Sequence, residues 1–419
     1  MRILFILHQF FPEFSSGTER VALNLARMAQ RAGHHVHVLA ATVDPARTGG
    51  VPDGAPFAGC LRLTHEGLPV TLIPRRALPP TADIGLDADE ALAAALAAWM
   101  QAERFDVAHV LHTMRMATAV LAAQRCQLPY VITLTDFFTP CARINLVTCA
   151  GRSCDGPDRG RRCPVDCPAP PWTTASYLQR YEQAASLLAG AAERATPSEF
   201  VARRYRDSFP ELAFRVIPHG IDLLALARPG AAKAPRRRGQ PLRLLFVGVV
   251  VPQKGLDVLL RALALLQGRE LALKAVAGWH GDPGYHDAVR ALAAADPRVE
   301  LAGPVGAASV FAAMQEADLL CVPSQVPESF SLVLHEAAAA GTPAVVSDLG
   351  APPDRVAATG SGRVVAHADP RAWAGAIAAV LDEPGLLASW QQRLPLPLRV
   401  EEEGFFYESL YRRVRRLPA

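Results

Sequence analysis

Apolar positions along the chain fall into short unbroken runs separated by stretches of helical spacing. RILFIL (2–7) is continuous, as a strand buried on both faces requires. A loop, HQFFPEFSSG, follows, and then Val21, Leu25, Met28 and Ala32 recur at helical intervals between Thr18 and Ala32. Gly33 ends that helix, and HVHVLAA (35–41) predicts a second strand. A strand–loop–helix–strand unit implies parallel strands joined by right-handed crossovers. VAHVLH (107–112) and YVITLTD (130–136) predict further strands, with a helix over 114–126 between them.

ARPGAAKAPRRRGQP (227–241), rich in Pro, Gly, Ala and Arg, interrupts the pattern and reads as an interdomain linker. The pattern then restarts. LRLLFVG (242–248), LALKAVAG (271–278), ADLLCVPS (317–324) and PAVVSDLG (343–350) predict strands, and LDVLLRALALLQ (256–267) predicts a helix. The fold class expected is α/β, with two Rossmann-like domains over 1–226 and 242–395 facing each other across a cleft. Parallel sheets take ligands at the C-terminal ends of their strands, so the loops after each strand should line it. EEEGFFYESLYRRVRR (401–416) predicts an amphipathic helix expected to join the first domain.

A chain of 419 residues is too long for one ordinary core and suits two. Half its residues are apolar and a fifth charged, which excludes a disordered chain. A net charge of +3 gives no concentrated basic face, so nucleic acid is not an expected partner. MRILFILHQFFPEF lacks the apolar length and cleavage site of a signal peptide, and no run is long enough to span a bilayer. A cytoplasmic location is expected, with membrane contact limited to a peripheral one at the inner face. In that compartment the eight cysteines should be reduced.

Candidate chemistry gathers in four segments. PESFSLVLHE (327–336) carries Glu328 and Ser329 where a helix is expected to begin, and Glu336 about 12 Å further along its axis at about 1.5 Å per residue. The free amides of a first helical turn attract anions. A carboxylate there would repel phosphate, so Glu328 is better matched to a neutral hydroxylated group. One ligand touching both glutamates must be long: a sugar, a diphosphate and a ribose. FVGVVVPQKGLDVLL (246–260) sets Gly248 and Lys254 in a predicted strand–helix loop, Lys254 being one of three lysines, with Lys233 and Lys274. FSSGTERVALNLARMAQ (14–30) puts Gly17 at a helix start, without the G-x-G-x-x-G fingerprint of dinucleotide sites. VIPHGID (216–222) alone reads as a turn.

In combination these segments resemble the retaining nucleotide-sugar glycosyltransferases of family four, which have the GT-B fold. The resemblance runs from Met1 to about Leu381. It implies a sugar transfer from a UDP- or GDP-sugar to a carbohydrate, lipid-linked or small acceptor, with no cofactor and no metal. It implies that Glu328 contacts donor-sugar hydroxyls near the reacting carbon and that Glu336 binds the ribose. Lys254 would hold the diphosphate with backbone amides around Ser329, Phe330, Ser331 and Leu332, and Gly17 would lie by the phosphates or acceptor. Catalytic roles fall to Glu328, Lys254 and Asp136, and acceptor contacts to His112, Asp136 and Arg143. Two positions depart from the family pattern: Val249 stands where an arginine phosphate clamp is usual, and Thr135 where many members have histidine before Asp136. The departures motivate a rival, a catalytically weak nucleotide-sugar-binding partner subunit. A second rival is a nucleotide-sugar epimerase on the same fold.

Other features have blander readings. Asp87–Asp89 reads as a helix cap, His109 as a buried hydrogen-bonded side chain, and Arg412, Arg413, Arg415 and Arg416 as a solvated helix face or a membrane contact. Cys141, Cys149, Cys154, Cys163 and Cys167 crowd one insertion (141–167) with little apolar content. Zinc, free thiols and a labile disulfide all remain open for it.

Overall fold

The structure is a computed structural model, and it describes residues 1–169, 171–223, 239–383 and 385–415. It divides into two units, one of Met1–Gly220 with Val400–Ala419, the other of Ile221–Arg399. The expected linker, 227–241, lies for the most part outside the described residues.

The first unit is built on a nine-stranded sheet. Its strands are β1 (Arg2–Leu7), β2 (His35–Thr42), β3 (Val51–Asp53), β4 (Cys60–His65), β5 (Leu68–Pro74), β6 (Val107–Val110), β7 (Tyr130–Thr133), β8 (Glu193–Thr196) and β9 (Arg215–Val216), in the order β3-β4-β5-β2-β1-β6-β7-β8-β9. All pairs are parallel except β3–β4 and β4–β5, which make an antiparallel edge. Helices α1 (Gly17–Arg31), α2 (Glu90–Ala102), α3 (Ala117–Arg125), α4 (Cys163–Asp166), α5 (Thr174–Ala189) and α6 (Glu199–Ser208) complete the chain to Gly220.

The second unit holds a fully parallel six-stranded sheet: β10 (Leu242–Val250), β11 (Leu271–Trp279), β12 (Val299–Ala302), β13 (Leu319–Val322), β14 (Ala344–Ser347) and β15 (Gly362–Val365), ordered β12-β11-β10-β13-β14-β15. Its helices are α7 (Leu256–Ala264), α8 (Pro283–Ala294), α9 (Ala307–Glu316), α10 (Leu332–Ala339), α11 (Ala351–Thr359), α12 (Pro370–Asp382) and α13 (Leu386–Gln392). Alternate residues serve the two faces, as strands covered on both sides demand. Leu244, Phe246, Leu273 and Cys321 join a core containing Trp373, while Leu245, Val276, Leu320 and Val346 join one containing Phe311 and Leu334.

The last helix, α14 (Val400–Val414), belongs to the first unit. Three of its polar side chains, Glu403, Tyr407 and Tyr411, are buried against the sheet. Tyr411 hydroxyl meets His109 Nδ1 at 2.7 Å, Tyr407 meets Thr133 Oγ1 at 2.7 Å, and Glu403 takes the Gly220 amide at 2.8 Å and His219 Nδ1 at 3.0 Å. His219, which alone read as a turn, is therefore an anchor of α14. Arg412, Arg413 and Arg415 pair with Glu408, Glu193 and Asp106, and Arg416 lies outside the described residues. Asp89 caps α2, accepting the Leu92 amide at 2.8 Å. No helix among the described residues is long and apolar enough to cross a membrane.

Several predicted strands are shorter than their apolar runs. β6 stops at Val110 and β7 at Thr133, so His112 and Asp136 stand in loops. β10 is longer than predicted: it pairs with β11 along its whole length, and Gly248, opposite Ala277, lies inside the strand, not in the loop after it.

Candidate active site

In each unit the strand order reverses beside the first strand, between β1 and β6 and between β10 and β13. Loops at the C-terminal ends of such a pair leave a crevice suited to a ligand. Both switch points carry charged or titratable side chains.

In the second unit the loop after β10 holds Lys254 and the loop after β13 holds Glu328. Lys254 Nζ lies 2.8 Å from Glu328 Oε1, and the two loops are also joined by the Gln325 amide donating to Gln253 carbonyl at 2.8 Å. Only glycine fits at two contacts that set this geometry. Gly255 has φ +65°, and a Cβ there would stand 2.0 Å from Pro323 carbonyl oxygen. Gly350, at φ +84°, presses against Glu328, whose amide would be 2.3 Å from an added Cβ. Burial raises the Glu328 carboxyl, but the Lys254 ammonium and the Ser324 and Ser331 hydroxyls outweigh it, and the net shift is downward. Glu328 is thus an anion held ready, its side chain 10% exposed.

The helix after this loop begins later than the sequence suggests. Glu328 and Ser329 are not in its first turn. Glu328 forms an isolated bridge with Gly350, and α10 starts at Leu332 behind Ser331. Ser331 is in the left-handed region at φ +67°, a strained state for serine that needs support from its surroundings. His335 supplies it, with Nδ1 3.0 Å from Ser331 carbonyl oxygen and its ring stacked on Phe330 at 3.9 Å. Phe330 thus spends its side chain on the helix. Glu336 is buried on α10, one turn in.

In the first unit β1 delivers His8, β6 delivers His112 and β7 delivers Asp136. His112 Nδ1 accepts the Met114 amide at 3.1 Å, so the proton sits on Nε2, which donates to Asp136 Oδ2 at 2.7 Å. The other Asp136 oxygen accepts the Phe138 amide at 2.8 Å. The His8 ring lies 3.9 Å from that of His112, tilted by 34°. Burial, then the neighbouring His112 and Arg115, hold His8 neutral, its pKa well below the ordinary value. Gly17 opens α1, where Ser16 and Glu19 form a capping box. Thr18 hydroxyl donates to Thr135 at 3.1 Å. Arg143 is exposed in the cysteine-rich insertion and donates to Cys149 Sγ at 3.3 Å.

Two constellations therefore form, Lys254–Glu328 and His112–Asp136, each inside one unit. His8, Ser324, Gln325, Gly255 and Gly350 escaped the sequence reading. Only the Lys-Gly pair at 254–255 carried a signal for any of them.

Residues 15–223 match the family model described as Glycosyltransferase Family 4, and residues 241–383 match Glycosyl transferases group 1. A D-inositol 3-phosphate glycosyltransferase of Kineococcus radiotolerans is 35% identical over 192 residues, 40% of this chain and 44% of that protein. The chain thus spans under half the length of that relative. Sucrose-phosphate synthase from Thermosynechococcus elongatus superposes with a TM-score of 0.69 at 20% identity, covering 99% of this chain and 98% of the other. Anabaena HepE in complex with UDP and glucose gives 0.68 at 16%, covering 98% and 99%.

Proposed function

Since the chain belongs to the family-four glycosyltransferases and has their GT-B fold, we propose that it moves a sugar from a UDP- or GDP-sugar to a hydroxyl acceptor with retention at the anomeric carbon. The observation that carries this reading is the Lys254–Glu328 pair at the switch point of the second sheet. In the free protein each neutralises the other. A donor diphosphate takes over Lys254, and the released Glu328 carboxylate accepts from hydroxyls of the sugar. Charge grows on the departing nucleoside diphosphate, so Lys254 and the amides of Ser329, Phe330, Ser331 and Leu332 favour the transition state over the ground state. Glu336 is assigned the ribose. The leaving phosphate oxygen takes the acceptor's proton, and this scheme calls on no divalent ion.

Asp136 is assigned the acceptor hydroxyl. His112 and the Phe138 amide fix its carboxylate, and the side chain is 30% exposed. The relative's name supports a polyol phosphate as one acceptor class, and Arg143 offers a cation for it. The UDP complex of HepE supports a uridine donor. Val249, in place of the usual arginine, favours the second reading, a binding subunit without turnover.

Donor turnover by the purified chain across UDP- and GDP-sugars and an acceptor panel tests the proposal. Nucleoside diphosphate release that depends on acceptor is expected. Lys254→Ala should slow transfer about 100-fold, the scale of losing one transition-state donor. Glu336→Ala should weaken nucleoside diphosphate binding about 10-fold or more. Wild-type behaviour in both variants would remove these residues from the site. Tight nucleotide binding without transfer would favour the subunit, and an isomerised donor the epimerase. EDTA should leave transfer intact, and a loss restored by Mg²⁺ would contradict the scheme.

A further inference from the structure

The insertion 141–167 is ordered with few means of its own. Leu146 and Pro157 are its buried aliphatic side chains, and Val165 is 80% exposed. It also carries four of the nine non-glycine residues with positive φ among the described residues: Ile144, Leu146, Asp158 and Arg159. Such conformations persist only where the surroundings impose them. Apolar burial in this segment is sparse for the backbone conformations it holds.

Four of its five cysteines line one cavity of about 180 Å³. They are Cys141, Cys154, Cys163 and Cys167, joined there by Leu146 and Tyr177, while Cys149 is absent from the wall. All are free thiols. Cys163 opens α4 and Cys167 follows its last residue, the Cys167 amide bonded to Cys163 carbonyl at 2.8 Å, and both side chains reach the same cavity. Cys141 and Cys154 flank a small turn closed by the Val147–Ser153 bridge. Beside them lies Arg180, 3% exposed, whose guanidinium donates to the carbonyls of Ile84, Thr139 and Phe138 and, among the described residues, to no carboxylate. Its charge acts on Cys141 and Cys163. A buried cation without a counter-charge is costly, and a four-thiolate zinc centre is a dianion.

We propose that Cys141, Cys154, Cys163 and Cys167 form a structural zinc site and that Cys149 is not a ligand. In the structure no three described Cys, His, Asp or Glu side chains converge tightly enough to grasp an ion. Binding requires the four thiols to close across the cavity they line. Each thiol gives its proton to solvent as its sulfur bonds the metal. The insertion starts five residues after Asp136, and Arg180 ties Phe138 and Thr139 to α5, so the metal would also steady the loop carrying Asp136.

Metal analysis of the purified full chain by mass spectrometry is the test, with about one zinc per chain expected for a tetrahedral site. Cys149→Ser should keep the metal, and the double variant Cys163→Ser, Cys167→Ser should lose it. Apo chain titrated with Co²⁺ should show the absorption of tetrahedral cobalt thiolate, a readout independent of how the variants fold. Zinc absent from the wild type with no cobalt spectrum, iron in its place, disulfides among these residues, or loss of metal from Cys149→Ser would each overturn the assignment. Activity lost on long chelation and regained with Zn²⁺ but not Mg²⁺ belongs to this site and leaves the metal-free transfer scheme standing.

Discussion

Gly255 is where the geometry of Lys254 is decided. Its left-handed backbone and its closeness to Pro323 let the lysine loop lie against the Glu328 loop. Gly255→Ala combines an unfavourable φ with a contact no Cβ can survive, so a loss of about 1–3 kcal/mol is expected from the strain alone. Gly248→Ala is the control: its nearest neighbour would be Phe246 Cζ at 3.4 Å, an ordinary contact. Thermal midpoints and nucleotide affinity should fall for the first and barely move for the second. Equal behaviour would refute the steric argument. Lys254 and Glu328 were legible in the sequence, one through the rarity of lysine and the other through its spacing from Glu336. Gly350 and Gln325 were not, because their value lies in a neighbouring loop that no local pattern announces. His8 was equally silent: a histidine after a buried strand gains meaning only once β6 sets His112 beneath it.

Among the elements, α14 shows how far amphipathic periodicity can be trusted. The sequence marked a helix, but not that its polar face holds the sheet through Glu403, Tyr407 and Tyr411. Glu403 is 1% exposed and serves both His219 and the Gly220 amide. Glu403→Ala takes a buried carboxylate away from both, and about 3 kcal/mol of stability should be lost. Arg412→Ala breaks an exposed i,i+4 pair and should cost under about 0.5 kcal/mol. Urea unfolding of the two variants separates them, and matching midpoints would count against an anchoring role. The start of α10 was misplaced for a related reason. Acidic residue, serine and turn proline imitate a helix start at 328–329, yet the bridge to Gly350 keeps Glu328 extended and delays the first turn to Leu332. The strands were found because continuous apolar runs of this kind have few other uses in an α/β chain.

At the level of the whole molecule, buried neutral histidines set the response to acid. Burial, above all, lowers His109 to about 3, and burial followed by Arg62 and Arg2 lowers His37 to about 4, from 6.5. His8 shifts the same way. The unfolded chain binds protons at these positions near pH 6.5 and the folded chain does not, so stability is complete above that pH. It declines as pH falls toward the folded values, by up to about 1.4 kcal/mol per unit for each histidine. Thermal midpoints should be flat above pH 7 and drop below about pH 6.5. His37→Gln, which cannot titrate and still reaches Thr71, should make the drop shallower. A midpoint unchanged between pH 7 and 5 would remove the histidines from this account.

The return of α14 to the first unit has a consequence for biogenesis. Residues 221–399 leave the ribosome before the helix that fastens His109, Thr133 and His219. During translation the later half of the polypeptide can mature first, while the earlier half waits, partly open, for its closing segment. Chaperone engagement and nascent-chain proteolysis should therefore concentrate on the amino-terminal half until that segment emerges.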